Sequence, residues 1–564
     1  MSTTTVATIE TGSNRAEDLI KSAVAAVESV AHGGDFDAKY DDGVKPSMEN
    51  RFGLKSSWDH FLPSPADMPQ GRFECELDEV IVYGEIPKTI DGTWYRMLND
   101  PHFPPAKGTP FVEGDGHLCA FRIQDGKISM KTRYVQTERW LLERKAGRRL
   151  FGMYRNPYDA HCIVQLANDA TCNTNIIYWG GNLLALAERG LPYAMDPDTL
   201  ETRGADSFAG QTRAKTFAAH PKVDPFKNEL VTWSYNAKGL ATRDFATFSI
   251  SEDGVVSNEN WYQQDKTGWP HDGWITENWI ILANMPFTTN SEEVLKQGGH
   301  YWTFVDDQPQ EFLVAPRTSG APRHPSWKVG EFRKYVTDHG LIVHAGNAWE
   351  AEDGTLQLES HFLSFNVFPF WNPPGYKPPL PKANWVRYTI DLSQPDGTKV
   401  APPVILQEGI YDFPVWDERF TTKPTKYVIM AEFANKFENR RPDFDHIVRL
   451  NTETGEKQVF HAGDESYVLE PAFIPRSADA PEGDGYIIFY TTRASTNKGE
   501  LVILDTEDMS KPLAIAVLPF AMRKQVHGNW VDNPHPGKKL PLLTAPVKQD
   551  VRPTPWHSQL HMVS

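Results

Sequence analysis

HIVRLNTETGEKQVF, residues 446–460, reads as two short strands around a turn. Val, Ile and Phe on either side favour a pleated, half-buried backbone, and the predicted hairpin turns at Thr452–Gly455. The same texture continues outward. KYVIMAEF (426–433) precedes the hairpin, and GYIIFYTT (485–492) and GELVILD (499–505) follow it. Upstream lie NELVTWSYN (228–236), NWIILANM (278–285) and TLQLESHFLSF (355–365). Turn signals such as EDG, PDG and EGDG separate these runs. Proline, 43 residues in all, concentrates in connections such as PFWNPPGYKPPLPK (369–382). Evenly spaced short strands of this kind predict an all-β sandwich, barrel or propeller. A sandwich of about 100 residues cannot absorb this length, whereas a propeller can. No motif recurs at a period of about 40–45 residues, so internal symmetry does not give the number of blades.

Two segments depart from the strand pattern. In the N-terminal tail, residues 1–45, Asn14 and Glu17 form a capping-box pattern. Leu19, Ile20, Ala23, Val24, Val27 and Ala31 then recur at helical spacing up to Gly33-Gly34. The second is TERWLLERKAGRRLF (137–151), a short helix on an insertion, laced with charge. Residues 46–564 are expected to form one β-propeller catalytic domain.

Composition narrows the function. The chain has 564 residues and a formal net charge of −17. That acidity argues against nucleic acid as a partner, since phosphate binding needs a basic face. No run of about 18 apolar residues predicts a membrane span, and no secretory leader is visible. Cys75, Cys119, Cys162 and Cys172 make no C-x-x-C pair and no disulfide framework. Reduced, mostly buried thiols in a cytoplasmic protein are expected.

Among 18 histidines, four share a setting. His220 lies in FAAHPKVDP, His271 in GWPHDGWITENWIIL, His344 in GLIVHAGNAWE and His527 in KQVHGNWVDNP. Each stands at the edge of a β-like run, where propeller strands start near the axis. Neutral imidazoles suit Fe, Zn, Cu or Ni. Their spacing matches none of the short local patterns of zinc fingers or zincins. By spacing alone the metal, and the cluster itself, stay open.

HPKVDP, HDGWITENW, HAGNAWE and HGNWV, in this order, resemble the four ligand motifs of the carotenoid cleavage oxygenases. GTWYRML (92–98), EGDGHLCAF (113–121), LALAERGLPYAMDPDTLETRG (184–204) and LEPAFIPR (469–476) extend the match over roughly residues 70–560. The resemblance implies a seven-bladed propeller with Fe(II) on its axis, bound by His220, His271, His344 and His527. It further implies carboxylates behind the ligands at Glu188 and Glu470. The third such motif, normally Glu-Phe-Pro or Glu-Leu-Pro, reads Asp412-Phe413-Pro414 here. Asp is one methylene shorter, so a longer or water-mediated hydrogen bond is expected. Glu350, also near a ligand in sequence, reads as structural. Thr174, in CNTNIIYW, matches a position beside an open coordination site.

LFGMYRNPYDAH (150–161) and VHGNWVDNP resemble the branch that cleaves lignostilbenes and phenylpropenes. There a Tyr and a Lys grip the substrate's 4-hydroxyl. Tyr154 matches the Tyr, but Ala187 stands where the Lys is usual. The resemblance thus implies O2-dependent cleavage of a small 4-hydroxyphenyl alkene. Isoeugenol or 4-vinylguaiacol, giving vanillin, is favoured over the usual stilbene. Apocarotenoid cleavage is the alternative. The charges of the 137–151 insertion favour the soluble aromatic substrate.

Overall fold

The computed structural model describes residues 73–533 except 104–108, 111, 206–207, 319–323, 435–443, 464–465, 494 and 524. The expected N-terminal helix lies outside the described residues. Within them the strands form seven antiparallel blades and one added two-stranded hairpin.

Each blade has one strand that touches its counterparts in neighbouring blades and so rings the axis. In chain order these inner strands are Asn175–Trp179, Lys222–Asp224, Trp269–Ile275, Ala345–Glu350, Tyr411–Val415, Ala472–Pro475 and Gln525–Asp532. The last is completed from the other end of the chain. Gly92–Asn99 pairs with Gln525–Asp532, setting Trp94 opposite Trp530. Ile81–Gly84 likewise adds to Ala514–Val517 at the rim of the sixth blade. Two non-local pairings therefore lock the ring.

Burial explains the two sequence textures. The second strand of the sixth blade, Gly485–Arg493, is buried along nearly its whole length, because both faces of a blade pack against neighbours. It reads as the continuous apolar run GYIIFYTT. Further out, Lys127–Tyr134 alternates between buried and less buried positions, as a strand with one wetter face does. Ile488, Tyr490 and Leu501 of the sixth blade pack against Trp94, Cys119 and Phe121 of the seventh. Fully burying side chains of this size contributes about 1.5–3 kcal/mol each.

The predicted hairpin is present as His446–Asn451 paired with Lys457–His461. The predicted insertion helix spans Glu138–Ala146, with Thr137 Oγ1 accepting from the Trp140 amide as its N-cap. Its charges are divided, with Glu138 and Lys145 exposed. Arg139 and Glu143 are buried, and Glu143 accepts from the Leu150 and Phe151 amides. The buried part of that charge holds the insertion together. All four cysteines are free thiols, with Cys119 and Cys172 buried. No helix among the described residues is long and apolar enough to cross a membrane.

Strand direction fixes where insertions fall. An inner strand runs from one face of the ring to the other, and the second strand returns. Connections from second to third strand therefore lie on the face where inner strands start. On that face the third blade carries the hairpin Phe287–Thr289/Trp302–Phe304 and the helix Glu292–Lys296. The fourth carries the proline-rich segment 364–382. Trp269, Phe287, Trp302, Phe368 and Trp371 from these parts form one aromatic cluster.

Candidate metal centre

The starts of the inner strands decide the site. Around the ring they present Thr174, His220, His271, His344, Asp412, Glu470 and His527, one residue per blade. Local backbone irregularity aims several of them. In the third blade Pro270 pairs with Asn284 but Gly273 with Leu282, so the inner strand carries one extra residue around His271. The same extra residue occurs beside His344, after Asp412 and at Val526–His527. A bulge of this kind bends the strand and re-aims a side chain.

The four histidines converge. One nitrogen from each of His220, His271, His344 and His527 lies within 4.8 Å of the others, and all four residues are buried. His220 Nε2 and His271 Nε2 are 3.1 Å apart. Two imidazole nitrogens bound cis to one ion at about 2.1 Å would sit about 3 Å apart. The donor set therefore fits a transition-metal ion such as iron.

Three imidazoles are backed by carboxylates at Nδ1. His271 Nδ1 is 2.5 Å from Glu188 Oε1, His344 Nδ1 2.6 Å from Asp412 Oδ1, and His527 Nδ1 2.7 Å from Glu470 Oε1. A carboxylate can only accept, so each Nδ1 carries the hydrogen and the Nε2 lone pair faces the axis. His220 differs, its Nδ1 lying 4.0 Å from Asp272 Oδ2. Asp272 is instead engaged by Lys222 Nζ and by the Ala345 amide.

The carboxylates are themselves held. Glu188 accepts from Tyr235 Oη at 2.7 Å and from Trp269 Nε1. Glu470 Oε2 accepts from Arg96 Nη1 at 2.5 Å and from the Gly528 amide. Burial pushes both carboxyls up, but His271 for Glu188, and His527 with Arg96 for Glu470, outweigh it and hold them low. Burial, reinforced by the neighbouring imidazoles, holds His220 well below its ordinary value. Burial also lowers His527. Neutral imidazole is the form that ligates a metal.

Asp412 corrects the expectation of a long or water-mediated contact. Its 2.6 Å hydrogen bond to His344 is direct. The next residue, Phe413, adopts φ +54°, and its amide donates to the same Asp412 oxygen. That left-handed conformation at a non-glycine residue, with the bulge, supplies the reach that the shorter side chain lacks. Asp412 Oδ1 also lies 3.2 Å from Nδ1 of His361, which is fully buried. His361 Nε2 accepts from the Val343 and His344 amides. Burial holds the His361 imidazole down to about 4, so it is neutral.

Two cavities meet at the histidines. One, about 280 Å³, is lined by Thr174, Ala187, Trp269, Val343, Phe368 and Leu469, among others, and touches His271, His344 and His527. Trp269 and Val343 precede ligands, and Phe368 belongs to the aromatic insertions. Its wall is mostly apolar. The second, about 670 Å³, follows the later residues of the inner strands, such as Asn175, Lys222, Trp416 and Asn529. It reaches the centre from the opposite face, and its wall is as much polar as apolar.

Tyr154 lines the apolar cavity. The Arg189 guanidinium lies 4.9 Å from its ring centre and that of Arg155 5.4 Å. Arg189 is paired with Asp169 and Glu113. Thr174 lines the same cavity, its hydroxyl donating to Asn173 Oδ1. Glu350 lies apart, accepting from Thr276 Oγ1 and the Asn278 amide, as its structural reading expects. The sequence reading missed Arg96, Asp272, Arg189 and His361. Asp272 and Arg189 stood inside quoted motifs, next to His271 and Glu188. His361 sits mid-strand with no motif around it.

The family model of the retinal pigment epithelial membrane protein (RPE65) matches residues 69–532. Resveratrol cleavage oxygenase 1 of Botryotinia fuckeliana is 42% identical over 485 residues, 85% of this chain and 87% of the relative. Isoeugenol monooxygenase of Pseudomonas nitroreducens is 35% identical, covering 82% of this chain and 96% of the relative. The crystal structure of Pseudomonas brassicacearum lignostilbene dioxygenase superposes with a TM-score of 0.78 at 34% identity, over 85% of this chain and 99% of the other. With the match running the length of the ring, and with four histidines on its axis, the chain belongs to the RPE65, or carotenoid cleavage oxygenase, family.

Proposed function

We propose that His220, His271, His344 and His527 hold Fe(II), and that the protein uses O2 to split the side-chain double bond of a 4-hydroxyphenyl alkene. The products are two carbonyl fragments, one of them an aromatic aldehyde such as vanillin. Alkene-cleaving oxygenase activity comes with the family. The substrate class rests chiefly on one observation, an apolar cavity of about 280 Å³ that ends on the histidines and carries Tyr154 in its wall. Small-molecule pockets run to about 300–1,000 Å³. A cavity just below that range suits an alkene with one or two rings better than an extended polyene. The relatives named for resveratrol, isoeugenol and lignostilbene agree with that size.

A ferrous ion supplies the electrons that let dioxygen react with a closed-shell alkene. The remaining work is positioning. Burial pushes the Tyr154 phenol above its ordinary value, so it stays protonated and donates to the substrate's 4-oxygen. The Arg189 guanidinium, which lines the cavity beside Tyr154, favours negative charge on that oxygen, and electron release from it activates the alkene. Trp269, Phe368 and Val343 exclude water around the double bond. Thr174, on the wall of the same cavity, would stand beside the coordination position that four imidazoles leave to O2 or solvent. Glu188, Asp412 and Glu470 keep three imidazoles in one tautomer and orientation.

The test is turnover. Protein loaded with Fe(II) and incubated under O2 is expected to convert isoeugenol and 4-vinylguaiacol to vanillin. Resveratrol and an apocarotenal complete the panel, and turnover of the apocarotenal alone would refute the aromatic reading. A second expectation concerns Ala187, which lines the cavity with Tyr154. In Ala187→Lys the added cation should shift kcat/KM towards 4-hydroxystilbenes. A charged hydrogen bond contributes about 1.5–3 kcal/mol, or roughly a tenfold to hundredfold change in preference. Unchanged selectivity would place the phenol elsewhere.

A further inference from the structure

Away from the axis, the outer half of the fifth blade carries a second group of metal-capable side chains. His446 opens the strand His446–Asn451, and His461 closes the strand Lys457–His461. The antiparallel ladder sets the two directly opposite one another. Directly opposed residues hold their Cβ atoms about 4.5–5.5 Å apart on one face of the sheet. Here the rings lie stacked, with centroids 4.5 Å apart at 21°. Asp445 Oδ1 is 2.6 Å from His446 Nδ1 and also accepts from the Ala434 amide. One nitrogen of each imidazole and an Asp445 oxygen lie within 4.8 Å of one another.

We propose that His446 and His461 form an accessory site for a divalent transition metal of the zinc, nickel or copper class, with Asp445 as its positioning residue. The hydrogen bond to Asp445 places the hydrogen of His446 on Nδ1. The lone pair is therefore on Nε2, and the ring is held from behind, as metal-ligating imidazoles are. Asp445 is itself fixed, being buried and tied to the Ala434 amide. His461 is exposed and free to turn about its side-chain torsions. Turning that ring out of the stack would bring its nitrogen, already within 4.8 Å, to the roughly 3 Å separation that two imidazoles on one ion require. Water completes the coordination on the open side. An exposed two-nitrogen site follows the general order of divalent affinities, in which copper, nickel and zinc exceed ferrous iron. It therefore selects against the metal proposed for the axis, and it does not depend on the oxygenase reading.

The experiment is Zn(II) titration of the iron-loaded protein, with zinc and iron both counted after removal of free metal. Wild type is expected to take up one equivalent of zinc without losing iron. His446→Ala and His461→Ala should each lose that equivalent, and Asp445→Asn should weaken it by about 10–100-fold, the usual effect of removing an orienting partner. His461 is exposed, so its replacement tests the site without disturbing the core, and an unchanged thermal melt checks this. Zinc uptake matched by loss of iron would place the metal on the axis and overturn the proposal. Equal zinc uptake by wild type and His461→Ala would overturn it too.

Discussion

His344→Ala is expected to leave a folded protein that no longer retains iron and has lost turnover. His220→Ala, His271→Ala and His527→Ala should behave alike. Among the described residues four imidazoles make up the protein donor set at the axis, and three of them are held in one tautomer by carboxylates. Removing an orienting partner at a metal site costs about 10–100-fold in affinity or activity. Deleting a ligand removes both the donor and the reason for its partner, so the loss should exceed the upper end of that range. In His344→Ala, Asp412 also loses its nearest hydrogen-bond partner and is left with its own neighbouring amide and His361. The control is His339→Ala, an exposed histidine on the Gln308 carbonyl, which should keep both iron and activity. Iron per chain, measured beside product formation, decides the matter. A His344→Ala protein that holds one iron and turns over at the wild-type rate would end the four-histidine assignment.

Those four residues were legible because each stood inside a motif at the edge of a β-like run. The architecture was legible more coarsely. Apolar runs such as GYIIFYTT and the turn in NTETG announce blades, since both faces of a second strand are buried. Blade number was not legible from periodicity. The insertion around Phe287–Phe304 and the 364–382 segment break the spacing, and the seventh blade joins Gly92–Asn99 to a strand near the other end of the chain. Ring closure of that kind leaves no local trace. The same limit hid His361 and Arg96, whose roles come from what crosses the fold to meet them.

Asp412→Glu separates two explanations of the short carboxylate, and it is expected to be harmful. If Asp412 were a loose substitute for a longer side chain, Glu would improve the contact to His344. The structure argues otherwise. The extra residue in the inner strand and the φ of +54° at Phe413 already carry the carboxylate to 2.6 Å from His344 Nδ1. His361, fully buried, closes the space beyond it. One more methylene must push the carboxylate past His344 Nδ1 or turn it into the adjoining cavity, whose wall Asp412 shares, and either loses the direct hydrogen bond. Asp412→Glu should therefore melt lower than wild type and bind iron more weakly. Asp412→Asn keeps the shape but not the charge. It should melt closer to wild type while losing iron affinity by about 10–100-fold. Asp412→Ala should be the worst of the three, because it leaves the His344 Nδ1–H and its neighbours without an acceptor, at about 1–3 kcal/mol per buried unsatisfied group. Thermal melts and iron-binding titrations on the same preparations give both readouts. A glutamate variant that matches or exceeds wild type in both would show that the bent backbone at Phe413 is incidental. A variant impaired in both would show that the strand was reshaped around an aspartate, and that this centre is a built alternative to the usual Glu-Phe-Pro arrangement.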